Sequence, residues 1–175
     1  MKINENNKKI ITSSVYDKFY EPLLGLDILP EHTVTMYFRK PGRYYITEKL
    51  YPTDLGEYID NNNIKTVEEL RTFSKFDIPL KIDHLITKLH KEGIFHGDLH
   101  AKNILLDMET YDVRIIDFDP KHVDTIENVK QTSLSVEKYK KLWLSDSDVE
   151  LVELNTFEDL INYEKNMWKI GYLTE

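Results

Sequence analysis

The sequence predicts an α+β fold in which two β-hairpins and several helices surround one polar loop. The first observation is a pair of segments rich in β-branched and aromatic residues, Val34–Phe38 and Arg43–Leu50, separated by Arg-Lys-Pro-Gly. The second is a helical pattern of apolar residues at i, i+3, i+4 and i+7 from Ile82. The third is a pair of short apolar runs, Asn103–Asp107 and Arg114–Phe118, which follow a loop crowded with polar side chains.

Composition sets the broad class of the protein. The chain has 175 residues, of which 41% are hydrophobic and 31% charged, so we expect a single globular domain over residues 1–175. It has no apolar run of the length that spans a bilayer, and no signal-peptide pattern at its start. The absence of cysteine excludes a disulfide framework and a cysteine-based zinc site. A net charge of -8 disfavours nucleic-acid and membrane partners, and we expect a cytoplasmic protein.

Turn and cap residues position the elements of the first half. The Pro-Gly pair predicts a turn between the two strands of an antiparallel hairpin. Asp54 is the predicted N-cap of a short helix. Thr66 and Glu69 have capping-box spacing before a helix that we expect to reach about Phe76.

Similar signals continue along the second half. A helix is predicted from Pro79 to a stop at Gly93, followed by a second hairpin whose connection is Met-Glu-Thr-Tyr-Asp. Asp119–Ser133 has little periodicity and is predicted to be a loop. Helical patterns return at about residues 136–144 and 157–170, with Thr156 as an N-cap and Gly171 as a stop.

The polar loop lies within Ile-Phe-His-Gly-Asp-Leu-His-Ala-Lys-Asn and carries the chemistry. Asp98 and Asn103 are five positions apart, and Asp117 lies nineteen positions after Asp98 at the end of an apolar run. Because a hairpin between them folds the second strand back, we expect the three side chains to converge. Hard divalent cations prefer oxygen ligands and bridge carboxylates to phosphates. Phosphoryl transfer needs this alignment and charge neutralisation more than covalent help.

An alternative is a zinc hydrolase site, because His96, Asp98 and His100 alternate along the loop. Three nitrogen and oxygen ligands are enough to hold zinc. This interpretation leaves Asn103 and the Ile-Ile-Asp-Phe-Asp run without a role. We therefore rank it below phosphoryl transfer.

The stretch HGDLHAKNILL, followed by IIDFD, resembles the catalytic loop HRDxxxxN and the metal-binding DFG motif of the protein-kinase-like superfamily. The resemblance implies that Asp98 is the catalytic base and that Asn103 and Asp117 bind Mg²⁺, or Mn²⁺ in its place. It implies that ATP is the phosphoryl donor. Lys102, four positions after Asp98, is the candidate that stabilises charge on the transferring phosphate.

The same resemblance implies an α+β, protein-kinase-like fold with a reduced N-lobe and a short, mainly helical C-lobe. The N-lobe covers about residues 1–50 and the C-lobe about residues 51–175. Arg43–Ile59 is similar to the last N-lobe strand, the hinge and the following helix. The adenine is therefore expected to contact the backbone near Glu48, Leu50 and Tyr51.

Several positions depart from the kinase pattern. Gly97 replaces the arginine of the loop, and Asp119 replaces the glycine of DFG. The sequence has neither G-x-G-x-x-G nor a V-A-I-K strand. Asn6–Leu26 is the candidate for the helix that carries a glutamate partner of the lysine. The candidates for that lysine are Lys8, Lys9 and Lys18, and those for the glutamate are Glu5 and Glu21.

Two main hypotheses follow. The first is a minimal, serine/threonine kinase-like enzyme that transfers the γ-phosphoryl group of ATP to a hydroxyl, most simply on a protein. The second is an inactive pseudokinase that acts as a protein-binding module, with a partner that completes or activates the N-lobe. A lesser alternative is a small-molecule kinase, because HGDLH resembles the aminoglycoside and choline kinase group. A nucleotide loop encoded upstream of Met1 is a further possibility.

Overall fold

The computed structural model describes residues 8–36, 41–132, 134–145 and 154–175. A small antiparallel sheet lies against a larger, mainly helical part, and one connected apolar core joins the two, from Phe19 to Trp168. The helices are α1 (Ser13–Val15), α2 (Leu55–Asn61), α3 (Val67–Phe73), α4 (Ile78–Lys91), α5 (Ile126–Gln131), α6 (Leu134–Ser145) and α7 (Phe157–Asn166). The strands are β1 (Lys8–Thr12), β2 (His32–Met36), β3 (Arg43–Glu48), β4 (Thr53–Asp54), β5 (Ile94–Phe95), β6 (Ile104–Asp107), β7 (Asp112–Ile115) and β8 (Asp124–Thr125).

The small sheet has the strand order β1-β3-β2, and both pairings are antiparallel. The β2–β3 pair confirms the first predicted hairpin, although Phe38 and part of its turn lie outside the described residues. The expectation of a helix over Asn6–Leu26 is wrong at its start, where Lys8–Thr12 forms β1. Ile10, Ile11 and Thr12 are β-branched and favour a strand, and helical structure begins only at Ser13.

The helical part is built around α4, which confirms the predicted helix. Asp77 caps its first turn, since its carboxylate accepts a hydrogen bond from the backbone N–H of Leu80 (3.0 Å). The predicted apolar face is buried, and Gly93 follows the helix with φ of +79°. The second predicted hairpin is also confirmed, because β6 and β7 pair with Ile104 opposite Ile115. Its connection brings the chain back beside the polar loop.

The predicted caps are present with one difference. Asp54 accepts a hydrogen bond from the N–H of Glu57 (2.8 Å) at the start of α2. Thr66 caps α3, but the carboxylate of Glu69 accepts from Lys65 rather than from Thr66 itself, and α3 ends at Phe73. Thr156 forms a complete capping box on α7.

The prediction of a loop over Asp119–Ser133 is wrong from Asp124 to Gln131, whereas Asp119–Val123 forms no helix or strand and Ser133 lies outside the described residues. Asp124–Thr125 forms β8, which pairs with β5, and α5 follows immediately. The side chain of Thr125 caps α5 by accepting a hydrogen bond from the N–H of Asn128 (3.2 Å). The helix is short and fully buries only Val129, so its sequence contains too little periodicity to indicate a helix.

Helix length and hydropathy also bear on membrane insertion. Within the described ranges, no helix is long and apolar enough to cross a bilayer. The longest is α4, with fourteen residues, and it carries charged residues on its exposed face.

The cap of α5 provides a test of the corrected assignment. We expect Thr125→Ala to lower the free energy of unfolding by about 1 kcal/mol, because one N-terminal amide of the helix loses its acceptor. Urea denaturation measures this change. Thr87→Ala is the control, since Thr87 is exposed in the interior of α4, where alanine is favoured. Equal stability of Thr125→Ala and wild type would contradict the assigned cap.

Candidate active site

The polar loop is held against the end of β7 by its own side chains. The amide nitrogen of Asn103 donates a hydrogen bond to the backbone carbonyl of Asp98 (2.8 Å). The backbone N–H of Ile116 donates to the carbonyl of Asn103 (3.0 Å). The loop, Asn103 and the residue before Asp117 therefore form one hydrogen-bonded unit, as the hairpin predicted.

His96 forms hydrogen bonds to two residues of this unit, Asp98 and Ile116. The side chain is fully buried, its Nε2 donates to the carbonyl of Ile116 (2.8 Å), and its Nδ1 accepts from the N–H of Asp98 (3.1 Å). Because both ring nitrogens are used, His96 has none left for a zinc ion, and the zinc alternative is disfavoured. Burial lowers the pKa of His96, which favours the neutral ring that this hydrogen-bond pattern requires.

Glu164, on α7, fixes the entry to the loop. Its carboxylate is fully buried and accepts hydrogen bonds from the N–H of Gly97 (2.6 Å) and the N–H of His96 (3.2 Å). His90 Nε2 lies 2.6 Å from the same carboxylate. Glu164 was not among the residues predicted from the sequence. The available signal was a glutamate one turn after Leu160, on the apolar face of the last predicted helix.

Gly97 has a steric reason to replace the arginine of the kinase motif. Its φ is +82°, and a Cβ there would lie 2.3 Å from the backbone oxygen of His122. Two side chains of α6 fix this close approach. Trp143 Nε1 donates to the carbonyl of Gly97 (2.7 Å), and the Tyr139 hydroxyl donates to the carbonyl of His122 (2.6 Å).

The neighbours of Asp98 favour the ionised form of its carboxylate. Burial acts to raise its pKa, but the hydrogen bond and charge of His100, with the charges of His122 and His96, outweigh it. The pKa of Asp98 therefore lies below its ordinary value. His100 Nε2 is 3.6 Å from the Asp98 carboxylate, and this contact raises the pKa of His100. Lys102 is exposed in the adjoining 3-10 turn, close enough for its charge to act on His100.

A cleft of about 340 Å³ opens between β1 and the segment that follows β7. Lys9 Nζ lies 3.8 Å from the carboxylate of Glu48 and 3.8 Å from the carboxylate of Asp117. Lys9 is opposite Ile46 in the β1–β3 register, so Glu48 points to the same face of the sheet two residues further on. Burial raises the pKa of Glu48, and the charge of Lys9 partly opposes this. Lys9, which lines the cleft, thus lies between the carboxylates of Glu48 and Asp117.

The structure separates the candidates for the phosphate lysine. Lys9 faces the cleft, whereas Lys18 lies with Nζ 5.6 Å from the centre of the Phe19 ring. The side chain of Lys8 and all of Glu5 lie outside the described residues. Glu21 is exposed in a 3-10 turn, and the glutamate beside Lys9 is Glu48.

The structure places the three predicted adenine-contacting residues in different surroundings. Glu48 was expected to contribute its backbone, but it is the side chain of Glu48 that lies beside Lys9, 3.8 Å from its Nζ. Leu50 and Tyr51 follow β3, and neither lines the 340 Å³ cleft. The backbone N–H of Lys49 donates to the carbonyl of Glu31 (2.7 Å), so it is already used.

The DFG-like segment places its left-handed residue at Asp117, where φ is +68°. Aspartate tolerates this conformation better than most residues do. Asp119, which replaces the motif glycine, does not have a positive φ; its carboxylate accepts from the N–H of Lys121 (2.9 Å) and supports a turn. The segment therefore does not depend on a glycine at position 119.

The oxygen donors fit a magnesium ion that is shared with phosphates. The amide nitrogen of Asn103 is occupied by Asp98, which leaves its Oδ1 as an acceptor, and the Asp117 side chain is 44% exposed towards the cleft. Magnesium in phosphate sites takes one or two protein oxygens and completes its shell with water and phosphate. Among the described residues, no three His, Asp or Glu side chains are grouped so that they could hold a metal ion.

Comparison with known proteins identifies the family. Residues 45–149, more than half of the chain, match the lipopolysaccharide kinase (Kdo/WaaP) family. The chain belongs to this family. It is thereby a member of the protein-kinase-like superfamily, and the resemblance of HGDLHAKNILL and IIDFD to that superfamily is confirmed.

Two curated relatives match parts of the chain. The chain is 34% identical over 88 residues, half its length, to a probable bifunctional tRNA threonylcarbamoyladenosine biosynthesis protein of Methanocaldococcus jannaschii. It is 31% identical over 77 residues, or 44% of its length, to the kinase and exchange factor for Rac A of Dictyostelium discoideum. The matches span only 15% and 6% of those proteins.

A solved structure confirms the fold class. The Cydia pomonella granulovirus kinase PK-1 superposes with a TM-score of 0.56 at 12% identity. The superposition covers 94% of this chain and 60% of the viral kinase. The predicted α+β, kinase-like fold is therefore confirmed.

The close approach of Gly97 to His122 predicts the effect of a substitution. We expect Gly97→Ala to lower the free energy of unfolding by about 3 kcal/mol or more, because the positive φ and the contact with the His122 backbone both oppose a side chain. Gly25→Ala is the matched control, since Gly25 has a φ of +76° but no atom within 4 Å of an added Cβ. Its cost should be only about 1–2 kcal/mol. Equal losses in urea denaturation would show that the packing against His122 is not tight.

The buried His96 predicts how the stability of the fold depends on pH. Burial lowers the pKa of folded His96, so the unfolded state binds the extra proton as the pH falls below about 6.5. The contribution of His96 to stability is therefore full above that pH and is lost below it, by up to about 1.4 kcal/mol per pH unit. Urea denaturation from pH 7.5 to 5.5 should show a steeper loss for wild type than for His96→Gln. His84→Gln, at an exposed position of α4, should keep the wild-type slope. Identical slopes for His96→Gln and wild type would contradict the assignment.

Proposed function

We propose that this protein is an ATP-dependent phosphotransferase that moves the γ-phosphoryl group of ATP to a hydroxyl. The contact of Lys9 with Glu48 and Asp117 carries the proposal, since Lys9 Nζ lies 3.8 Å from each carboxylate. Kinases need a lysine that is paired with a glutamate and faces the nucleotide phosphates next to the metal-binding aspartate. Lys9 meets this requirement from β1, and Glu48 meets it from β3 rather than from a helix.

Asp98 is the proposed base. Its lowered pKa keeps it ionised, and the hydrogen bonds of His96 and Asn103 hold its backbone in place. In the reaction the acceptor oxygen forms a bond to the γ-phosphorus while its proton passes to the Asp98 carboxylate. The bond between the γ-phosphorus and the β–γ bridging oxygen breaks, and ADP leaves with that oxygen.

Asn103 and Asp117 would hold the Mg²⁺, or Mn²⁺, that accompanies ATP. When bound, this ion neutralises phosphate charge and orients the γ-phosphoryl group. Lys102 is exposed beside the loop and is proposed to stabilise charge on the transferring group. The backbone of Leu50 and Tyr51, beyond β3, is proposed to contact the adenine.

The family match and the catalytic loop favour different classes of hydroxyl acceptor. The family is named for lipopolysaccharide kinases, which favours a hydroxyl of a saccharide or another small molecule. A serine or threonine of a protein is the alternative that the catalytic loop alone suggests. An assay must therefore contain both classes of acceptor.

A pseudokinase is the second candidate, and one observation favours it. In the part of the chain that the structure describes, the small sheet has three strands, and no glycine-rich hairpin covers the cleft beside β1. Under this alternative a partner protein would complete the N-lobe and the chain would act by docking. The presence of Lys9, Asp98, Asn103 and Asp117 in one site supports catalysis over this role.

Transfer from γ-labelled ATP tests the proposal. Full-length protein is incubated with Mg²⁺ or Mn²⁺, a lipopolysaccharide preparation and a generic basic protein, and label is followed in each acceptor and as free phosphate. We expect metal-dependent turnover that falls at least about a hundredfold in Asp98→Asn, Asp117→Asn and Lys9→Met. Lys18→Met should keep the wild-type rate, because Lys18 lies on Phe19 rather than in the cleft.

The outcomes separate the two candidates. An ATP-induced rise in the melting temperature without turnover would favour the pseudokinase. If folded protein shows no turnover and no ATP-induced melting shift, this result would contradict nucleotide binding by this chain. A rate unchanged in Lys9→Met but lost in Lys18→Met would place the phosphate lysine elsewhere.

A further inference from the structure

The imidazole of His122 is buried beside the catalytic loop without a hydrogen-bond partner. The residue is 8% exposed, and neither Nδ1 nor Nε2 makes a hydrogen bond. The backbone of the same residue is well fixed, because its carbonyl accepts from the Tyr139 hydroxyl and its N–H donates to the carbonyl of Asp119 (2.9 Å). The unsatisfied ring is therefore not the result of a loosely held segment.

Keeping such a ring lowers the stability of the fold. A buried donor or acceptor that makes no hydrogen bond loses its hydration without compensation. An apolar side chain of similar shape at position 122 would avoid this loss. Buried unsatisfied groups in native proteins are few, and a functional role is one of the recognised reasons for them.

The position of His122 relates the ring to Asp98. The His122 backbone packs directly on Gly97, the residue before Asp98, at the distance that excludes a Cβ. Tyr139 and Trp143, one turn apart on α6, bind the carbonyls of His122 and Gly97 respectively. The charge of His122 is also one of those that lower the pKa of Asp98. The ring thus lies within electrostatic reach of the base and on the same rigid unit.

Resting on the proposed function, we propose that His122 is an acceptor-positioning residue whose imidazole hydrogen-bonds the hydroxyl acceptor when that acceptor lies on Asp98. The acceptor O–H then donates to the Asp98 carboxylate, while a ring N–H of His122 donates to a lone pair of the same oxygen. This second contact fixes the direction of the attacking lone pair. Since the ring nitrogens are out of contact with solvent here, the contact requires a rotation of the ring about its side-chain bonds.

The test uses water as the acceptor probe, because water is the smallest hydroxyl acceptor and is always present. Phosphate release from γ-labelled ATP with Mg²⁺ is measured for the full chain, together with the KM for ATP and the melting temperature. His122→Phe removes both nitrogens but keeps a flat ring. His122→Gln keeps a hydrogen-bonding group.

We expect His122→Phe to lower kcat for phosphate release at least about tenfold, while the KM for ATP stays within about twofold. Its melting temperature should equal or exceed that of wild type, because the unsatisfied nitrogens are gone. His122→Gln should regain part of the lost kcat. This combination of higher stability and lower kcat is the signature that a structural role would not produce.

His84→Phe is the matched control. It makes the same change of side chain at an exposed position of α4, so it should leave kcat near the wild-type value. An unchanged kcat in His122→Phe would overturn the inference. A loss of kcat in His122→Phe that is matched by an equal loss in His84→Phe would also overturn it.

Failure of the inference is distinguishable from failure of the proposed function. If wild type releases no phosphate, the phosphotransferase proposal fails and the role of His122 fails with it. If wild type is active and His122→Phe is equally active, only the role of His122 fails. The wild-type rate, measured first, separates these two results.

Discussion

The buried carboxylate of Glu164 is the constraint on which the site depends. Glu164 is fully buried and meets the backbone N–H groups of His96 and Gly97 and the ring of His90. A carboxylate in that position is tolerated only because these donors satisfy it. In return it fixes the two residues that lead into Asp98. The backbone that leads into the proposed base is thus fixed by a residue on α7, distant in sequence from the loop.

The nucleotide side of the site is organised differently. The helical part supplies the oxygen-bearing residues Asn103 and Asp117, and the small sheet supplies Lys9 and the partly buried Glu48. The 3.8 Å contact between Lys9 and Asp117 joins the two parts across the cleft. Because the pair is partly exposed, its contribution to stability is small. Its value is positional, since it places one cation next to the proposed metal ligand Asp117.

Local sequence signals predicted the elements whose determinants are short-range. The α4 helix has an amphipathic face, a proline start and a glycine stop, and the β6–β7 hairpin has two apolar runs around a turn. The convergence of the loop with the strand before Asp117 followed from that hairpin. The short α5 helix was missed because Val129 alone is fully buried in it. β1 was missed because its neighbouring residues continue into a helical turn.

Long-range contacts were the part that the sequence did not define. Three lysines were equivalent candidates until the β1–β3 register placed Lys9 on the face of Glu48. Glu48 was predicted to contact the adenine through its backbone, because the sequence alone does not show which face of the sheet its side chain lies on. Glu164 and His122 carry no motif, and only the packing of α6 and α7 against the loop brings them to Asp98.

The most direct measurement is the position of a bound metal. Crystals of the protein with Mn²⁺ and a non-hydrolysable ATP analogue would locate the ion by its anomalous signal. The account predicts a peak within coordination distance of Asn103 Oδ1 and the Asp117 carboxylate, with Lys9 Nζ on the analogue's phosphates. A nucleotide bound with its phosphates away from Lys9, or a Mn²⁺ peak remote from both Asn103 and Asp117, would contradict it.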